Sequence, residues 1–195
     1  MGIKYRDAQK KDCSKVAEYI NSASAGVLDY LFKDTVPGMA VAQILAYNLE
    51  NEKGYDSYKS VIVAEDNLDI IGMIQSYSSV YHRIDEEMRS FFPEEKLEHF
   101  KEFYESGMDN SLLINAMFVH KDYRCKGIGT RFISLAEEKA ESLGFDNLSL
   151  FVLADNLNAQ KVYQSNGFKI VKEIKLKNSV SINHTDRIYL MVCDI

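Results

Sequence analysis

The sequence predicts an α/β fold, and three observations carry that expectation. Short runs of β-branched and apolar residues alternate along the chain with longer segments whose apolar residues recur at helical spacing. An apolar run at 112–119 feeds through a glycine turn straight into an amphipathic helix. With 195 residues, 46% hydrophobic and 27% charged, the chain suits one ordinary soluble domain, residues 1–195, with a sizeable core.

Residues 3–6 read as a first strand. Asp12 stands where an N-cap belongs, ahead of Cys13, Val16, Ala17 and Ile20 at helical spacing. The pattern loosens over 22–26, resumes over 27–32, and after Pro37 and Gly38 a helix carrying Val41, Ile44, Leu45 and Leu49 is expected. Residues 60–64 and 69–76 read as a hairpin about Asp66 and Asn67, with Gly72 marking a bulge. Over 79–110 the chain changes character: from Arg83 to Glu105 there are eight acidic residues against four basic ones, among many aromatics, which reads as a helical insertion.

Order returns at 112–119, an apolar strand expected to be buried on both faces. In the helix that follows, Ile128, Phe132, Leu135, Ala136 and Leu143 fall on one face, and Gly144 suits the left-handed C′ position. Residues 148–153 form another buried strand. A helix from about 156 to 165 ends at Asn166-Gly167, and 168–174 and 188–192 read as the last strands.

Composition removes several functions. A net charge of −6 without a Lys/Arg cluster speaks against a nucleic-acid partner. The three cysteines, Cys13, Cys125 and Cys193, form no CxxC and have no His pair at ligand spacing, so neither a disulfide framework nor a metal is expected. The longest apolar run, 112–119, is eight residues, too short to span a membrane. The strand-like start carries no signal-peptide pattern, which gives a cytoplasmic location as the expectation.

The informative stretch is 112–129, where the strand enters Arg124-Cys125-Lys126-Gly127-Ile128-Gly129 and then the helix. First-turn amides of a helix lack intrahelical partners, and the macrodipole adds partial positive charge, so such a turn suits a phosphate. A phosphate loop would need Gly-Lys-Ser/Thr and a dinucleotide fold G-x-G-x-x-G, and neither string is present.

The turn at 124–129, with Tyr123 before it and Asn156-x-x-Ala159-x-x-x-Tyr163-x-x-x-Gly167-Phe168 after the next strand, resembles the two linked hallmarks of the GNAT N-acyltransferases. The resemblance is close over 114–168 and looser over 3–20 and 60–76; the 79–110 insertion has no counterpart. It implies the GNAT fold, a central mixed and mostly antiparallel sheet flanked by helices, with acetyl-CoA as co-substrate and no metal. It also implies an acetyltransferase acting on a primary amine, either a small cationic amine or a peptide amine.

By that resemblance the backbone of Met117, Phe118 and Val119 meets the pantetheine arm. The amides of Cys125, Lys126, Gly127, Ile128, Gly129 and Thr130 hold the pyrophosphate, with Arg124 and Lys126 adding charge. Asn156 bonds the cofactor arm and also suits an N-cap. Tyr163 is the catalytic residue, protonating the departing thiolate. No role follows for the Cys125 thiol. The chain departs from the family where a carboxylate base often stands, since 115–117 read Asn-Ala-Met and 151–153 read Phe-Val-Leu. Glu65, His120, Asp155 and ordered water stay open as the base.

Acceptor choice falls to 23–39 and 79–110, where Tyr81, Asp85, Glu86, Glu87, Phe91 and Tyr104 suit a cationic amine. The rival reading is a non-catalytic acyl-CoA sensor that keeps the cleft without acyl transfer. A homodimer through the last strand and the insertion is the one self-association the pattern suggests.

Overall fold

The computed structural model describes residues 2–51, 55–176 and 186–195. In chain order these form β1 (Lys4–Asp7), α1 (Cys13–Ala23), α2 (Val27–Phe32), α3 (Val41–Glu50), β2 (Val61–Asp66) and β3 (Asp69–Ser78). The 79–110 segment folds as three short helices, α4 (Glu86–Phe91), α5 (Glu94–His99) and α6 (Lys101–Tyr104). Then come β4 (Ser111–Val119), α7 (Ile128–Leu143), β5 (Asn147–Leu153), α8 (Leu157–Ser165), β6 (Lys169–Lys175) and β7 (Arg187–Asp194).

The strands join in one sheet of order β1-β2-β3-β4-β5-β7-β6. Every neighbouring pair is antiparallel except β4 and β5, which run parallel. The sheet is thus mixed and mostly antiparallel, and helices cover both faces. On one face α7 packs Phe132, Ile133, Ala136 and Ala140 against Ile74, Ile114 and Leu150. The other face carries α1 and α3, whose Val16, Ile20, Leu45 and Leu49 meet Val63, Met73 and Ala116. Toward β7 that cover passes to α2 and the 79–110 segment, through Leu31 and Phe100 against Ile188 and Leu190.

Two irregularities shape the middle of the sheet. Pairing between β4 and β5 runs only from Ser111 opposite Asn147 to Ile114 opposite Leu150. Beyond it β4 continues to Val119 and β5 to Leu153 with no pairing between them, so the strands part. At that same point β4 bulges: Gln75 faces Ala116 and Ser76 faces Ile114, leaving Asn115 as the extra residue. A bulge bends and twists its strand, which opens the gap.

Several expectations need correction. Residues 112–119 are not buried throughout, because Asn115 is exposed and 117–119 line the opened edge half-buried. Asp12 does not cap α1. Its backbone already lies in the helical region, whereas an N-cap needs extended geometry, and its carboxylate accepts from Gln9 N at 2.8 Å and Arg6 Nη1 at 2.6 Å. Leu143 is 59% exposed, since Ala140 fills the buried place one turn earlier. The bulge expected at Gly72 falls on its neighbour Ile71, left unpaired between Gly72 opposite Ala64 and Ile70 opposite Glu65. Gly144 does take the left-handed conformation that ends α7 (φ 74°).

Candidate active site

The turn between β4 and α7 is shaped by backbone conformation. Cys125 has φ 58° and Gly127 φ 78°, so the chain reverses through two left-handed residues before α7 begins. Such a φ is strained for a side-chain-bearing residue and open to glycine. Gly127 supplies no side-chain cap, and the first α7 amides stay available at the positive end of a 16-residue helix. Gly129 answers to a different constraint: a Cβ there would lie 3.7 Å from Val162 Cγ1 and 3.8 Å from Met117 Cε, ordinary contact distances. The first turn of α7 therefore touches both β4 and α8.

The charged residues of the turn are engaged locally. Arg124 Nε donates to Val119 O at 3.1 Å, tying the turn back to the end of β4. The Lys126 ammonium lies 4.8 Å from the Tyr123 ring centroid, and the Tyr123 hydroxyl donates to Asp66 Oδ2 at 3.0 Å. Ile128 is buried, Thr130 is exposed, and the Cys125 thiol is exposed.

Along the opened edge of β4, Met117 and Val119 face the α7 core, while Phe118 faces α1 and stacks on Tyr19 with centroids 4.3 Å apart. Backbone groups of an edge alternate between paired and outward directions, so those turned from β3 face the gap left by β5. Across the gap, Asn156 caps α8, its side chain accepting from Ala159 N at 3.2 Å. Only its Oδ1 is used by that bond. Tyr163, on α8, is 8% exposed and its ring lies 5.8 Å from that of Phe168. Burial pushes its phenol up to about 12. Among the described residues its hydroxyl makes no hydrogen bond within the protein.

On the opposite face of β4 lies a polar chain that sequence reasoning missed. Asn115 Nδ2 donates to Gln75 Oε1 at 2.8 Å, and Gln75 Nε2 donates to Asp56 Oδ1 at 3.0 Å and Ser60 Oγ at 3.2 Å. Burial raises the Asp56 carboxyl, and the Gln75 bond opposes that rise. Around them Tyr55 lies against Tyr77 and Tyr81, with centroids 4.8 and 4.7 Å apart. Burial, then Asp56 and Tyr55, push the Tyr77 phenol up. The signal in the sequence was Gln75 itself, an amide at the end of the apolar run 70–74.

Other anticipated residues are dispersed. Glu65 is clamped by Arg6, whose Nε and Nη2 reach its Oε2 at 3.0 and 2.7 Å, two strands away from the gap. His120, at the end of β4, has Nδ1 3.6 Å from Asp122 Oδ2. Asp155 sits in the loop from β5 to α8. Asp85 caps α4 by accepting from Met88 N at 2.8 Å, with Glu86 and Glu87 in that helix's first turn. Phe91 packs on Phe32 and Phe92, while Tyr81 and Tyr104 do gather near Tyr55. A groove of about 500 Å³ lined by Ser78, Val80, Tyr104, Asn110 and Phe145 lies at the other end of β4, away from the gap.

Comparison with known proteins meets this geometry. The family model described as the acetyltransferase (GNAT) family matches residues 30–168. A solved acetyltransferase is similar over 98% of this chain and 99% of its own, with 22% identity and a TM-score of 0.70. An N-acetyltransferase from Staphylococcus aureus Mu50 is similar over 97% of this chain and 99% of its own, at 19% identity and TM-score 0.69. The protein yncA from Salmonella typhimurium, solved with its cofactor acetyl-CoA, covers 100% of this chain and 94% of its own, at 16% identity and TM-score 0.63. At these identities the likeness to solved structures is one of fold.

Proposed function

This chain belongs to the acetyltransferase (GNAT) family, and we propose that it transfers an acetyl group from acetyl-CoA to a primary amine by direct attack. The observation that carries the reading is the parting of β4 and β5 beyond Ile114 and Leu150, immediately before the Gly127 turn that opens α7. An unpaired strand edge and a set of free helix amides then converge on one cleft, which fits an extended amide-bearing arm ending in a pyrophosphate.

In this reading the backbone of Met117, Phe118 and Val119 receives the pantetheine arm. The amides from Cys125 through Thr130 hold the pyrophosphate, and the Nδ2 of Asn156, which takes no part in the cap, reaches the arm from the α8 side. The Arg124 guanidinium contributes by bracing the turn against Val119 O as much as by its charge. Acetyl-CoA supplies the thioester. The bound ammonium first gives a proton to water; the neutral amine then forms a C–N bond to the acyl carbon as the C–S bond breaks, its surplus proton passes to water, and water returns a proton to Tyr163 once the thiol has left. Tyr163 gives its phenolic proton to the leaving sulfur, and its raised pKa keeps that proton in place at neutral pH. A backbone N–H of β4 near Phe118 steadies the acyl oxygen as it gains charge.

Strands from Lys4 to Asp194 share one sheet, which supports reading the chain as one domain with 79–110 as its insertion. The test is thiol release from acetyl-CoA with polyamines, aminoglycosides, amino acids and N-terminal peptides, comparing wild type with Tyr163→Phe. Release that depends on the amine and drops in the variant supports the transferase. Tight acetyl-CoA binding without turnover across the panel favours the sensor, and no binding overturns the reading.

A further inference from the structure

We propose that Asn115 positions the acceptor: its side-chain carbonyl oxygen accepts a hydrogen bond from the nitrogen of a cationic primary amine, in a polarity fixed by Gln75 and Asp56. The inference rests on the proposed transferase function and assigns the acceptor side of the same cleft.

The argument begins at Asp56. An ionised carboxylate only accepts hydrogen bonds, so the group that meets it at 3.0 Å must be the Gln75 NH2 rather than its carbonyl. The second hydrogen of that NH2 goes to Ser60 Oγ. Gln75 Oε1 then points the other way, and the group 2.8 Å from it must be the Asn115 NH2. Two amides are thereby set head to tail, and the Asn115 Oδ1 is the acceptor left over. Among the described residues nothing donates to it.

The placement of that oxygen separates it from an ordinary surface asparagine. Asn115 is exposed, it is the bulge residue of β4, and it is the first residue past the last β4–β5 pair. Gln75, by contrast, is fully buried, and a buried amide in a strand is retained only where its bonds are satisfied. The chain also ends on a negative charge, and linked hydrogen bonds polarise one another, so Oδ1 is a stronger acceptor than in an isolated amide. Around Asp56, burial and neighbouring acidic groups push up the phenols of Tyr55, Tyr77 and Tyr104, so they carry no charge that cancels or adds to it. A negative chain end among aromatic rings favours a cationic ligand.

Wild type, Asn115→Ala and Asp56→Asn are compared. Melting temperature and acetyl-CoA affinity by calorimetry report fold and donor site. Thiol release with 1,4-butanediamine, L-lysine and a dipeptide with a free N-terminus reports the acceptor. Asn115→Ala is expected to raise the amine KM about tenfold, as for one hydrogen bond to a charged group. Asp56→Asn, which lets Gln75 turn over, should raise it several-fold, and acetyl-CoA affinity should stay within about twofold in both. An amine KM unchanged in Asn115→Ala overturns the proposal, as does a fall confined to kcat. Acetyl-CoA binding by wild type without release to any of the three amines overturns the acceptor assignment and leaves the donor site standing. No acetyl-CoA binding by wild type overturns the proposed function, and this inference with it.

Discussion

The imidazole of His82 stacks on the ring of Phe151, centroids 4.5 Å apart and planes 26° apart, and so fastens the 79–110 segment to β5, one side of the gap beside β4. His82 Nε2 lies 3.0 Å from Phe103 O, so that nitrogen carries a hydrogen and donates it to the carbonyl. Burial lowers its pKa to about 4 from an ordinary 6.5.

That depression sets the sign of a pH effect. Between pH 6.5 and 4 the unfolded chain binds a proton at His82 and the folded one does not, so stability falls as pH falls through that window. The loss from this group is of the order of 3 kcal/mol across the window. Urea midpoints at pH 7 and pH 5 should differ in wild type and converge in His82→Phe, which keeps the stacking and cannot titrate. Equal pH dependence in the two proteins would remove His82 as the cause.

Arg6 lies at the centre of an ion-pair network, between Asp12 and Glu65. Burial by itself would raise the Asp12 pKa, yet the Arg6 hydrogen bond and Gln9 N–H outweigh it and hold it below 3.8. With a depressed pKa the stabilisation is present above about pH 4 and lost as pH falls through the folded value. Arg6→Leu strands a carboxylate that is 6% exposed and is expected to cost about 3 kcal/mol at pH 7. Adding Asp12→Asn should recover part of that loss; a double mutant no better than Arg6→Leu would refute the pairing account.

Gly72 makes a purely steric prediction. A Cβ there would lie 2.8 Å from Phe118 O, which is backbone, and 3.2 Å from Phe132 Cε2. Gly72→Ala must therefore push β3 from β4 or shift α7, at a cost of about 2 kcal/mol. A urea midpoint within error of wild type would show that the strands give way freely.

Much of this architecture was legible because its signals are local. The α7 helix, its Gly144 end and the Gly127 turn each follow from residues within a few positions of one another. Tyr163 and Asn156 entered as candidates only through the spacing of a second motif, since a buried helix tyrosine and an N-cap asparagine carry no chemistry of their own. The Asn115–Gln75–Asp56 chain is made of bonds between residues 40 and 19 apart in sequence and depends on a bulge, which shifts register by one and leaves no trace in periodicity. Asp12 misled for a similar reason: its partner Arg6 competes with the cap, and only the fold brings the guanidinium within 2.6 Å.

The two glycines of the α7 turn should separate fold from ligand binding. Gly127 holds φ 78°, where an alanine is strained by about 1 kcal/mol, so Gly127→Ala should lower the melting temperature by a few degrees. Because the strain relaxes by re-aiming the amides of Ile128 and Gly129, acetyl-CoA affinity should fall about tenfold, as for one charge-assisted hydrogen bond. Gly129 is helical, and its added Cβ would meet Val162 and Met117 at 3.7 and 3.8 Å without overlap. Gly129→Ala should therefore leave melting temperature and acetyl-CoA affinity within about twofold of wild type in binding, helped slightly by better helix propensity. If instead Gly129→Ala binds tenfold more weakly with an unchanged melting temperature, then the ligand itself occupies the space over Gly129. The Val162 and Met117 wall would then be the floor of the phosphate site rather than its side.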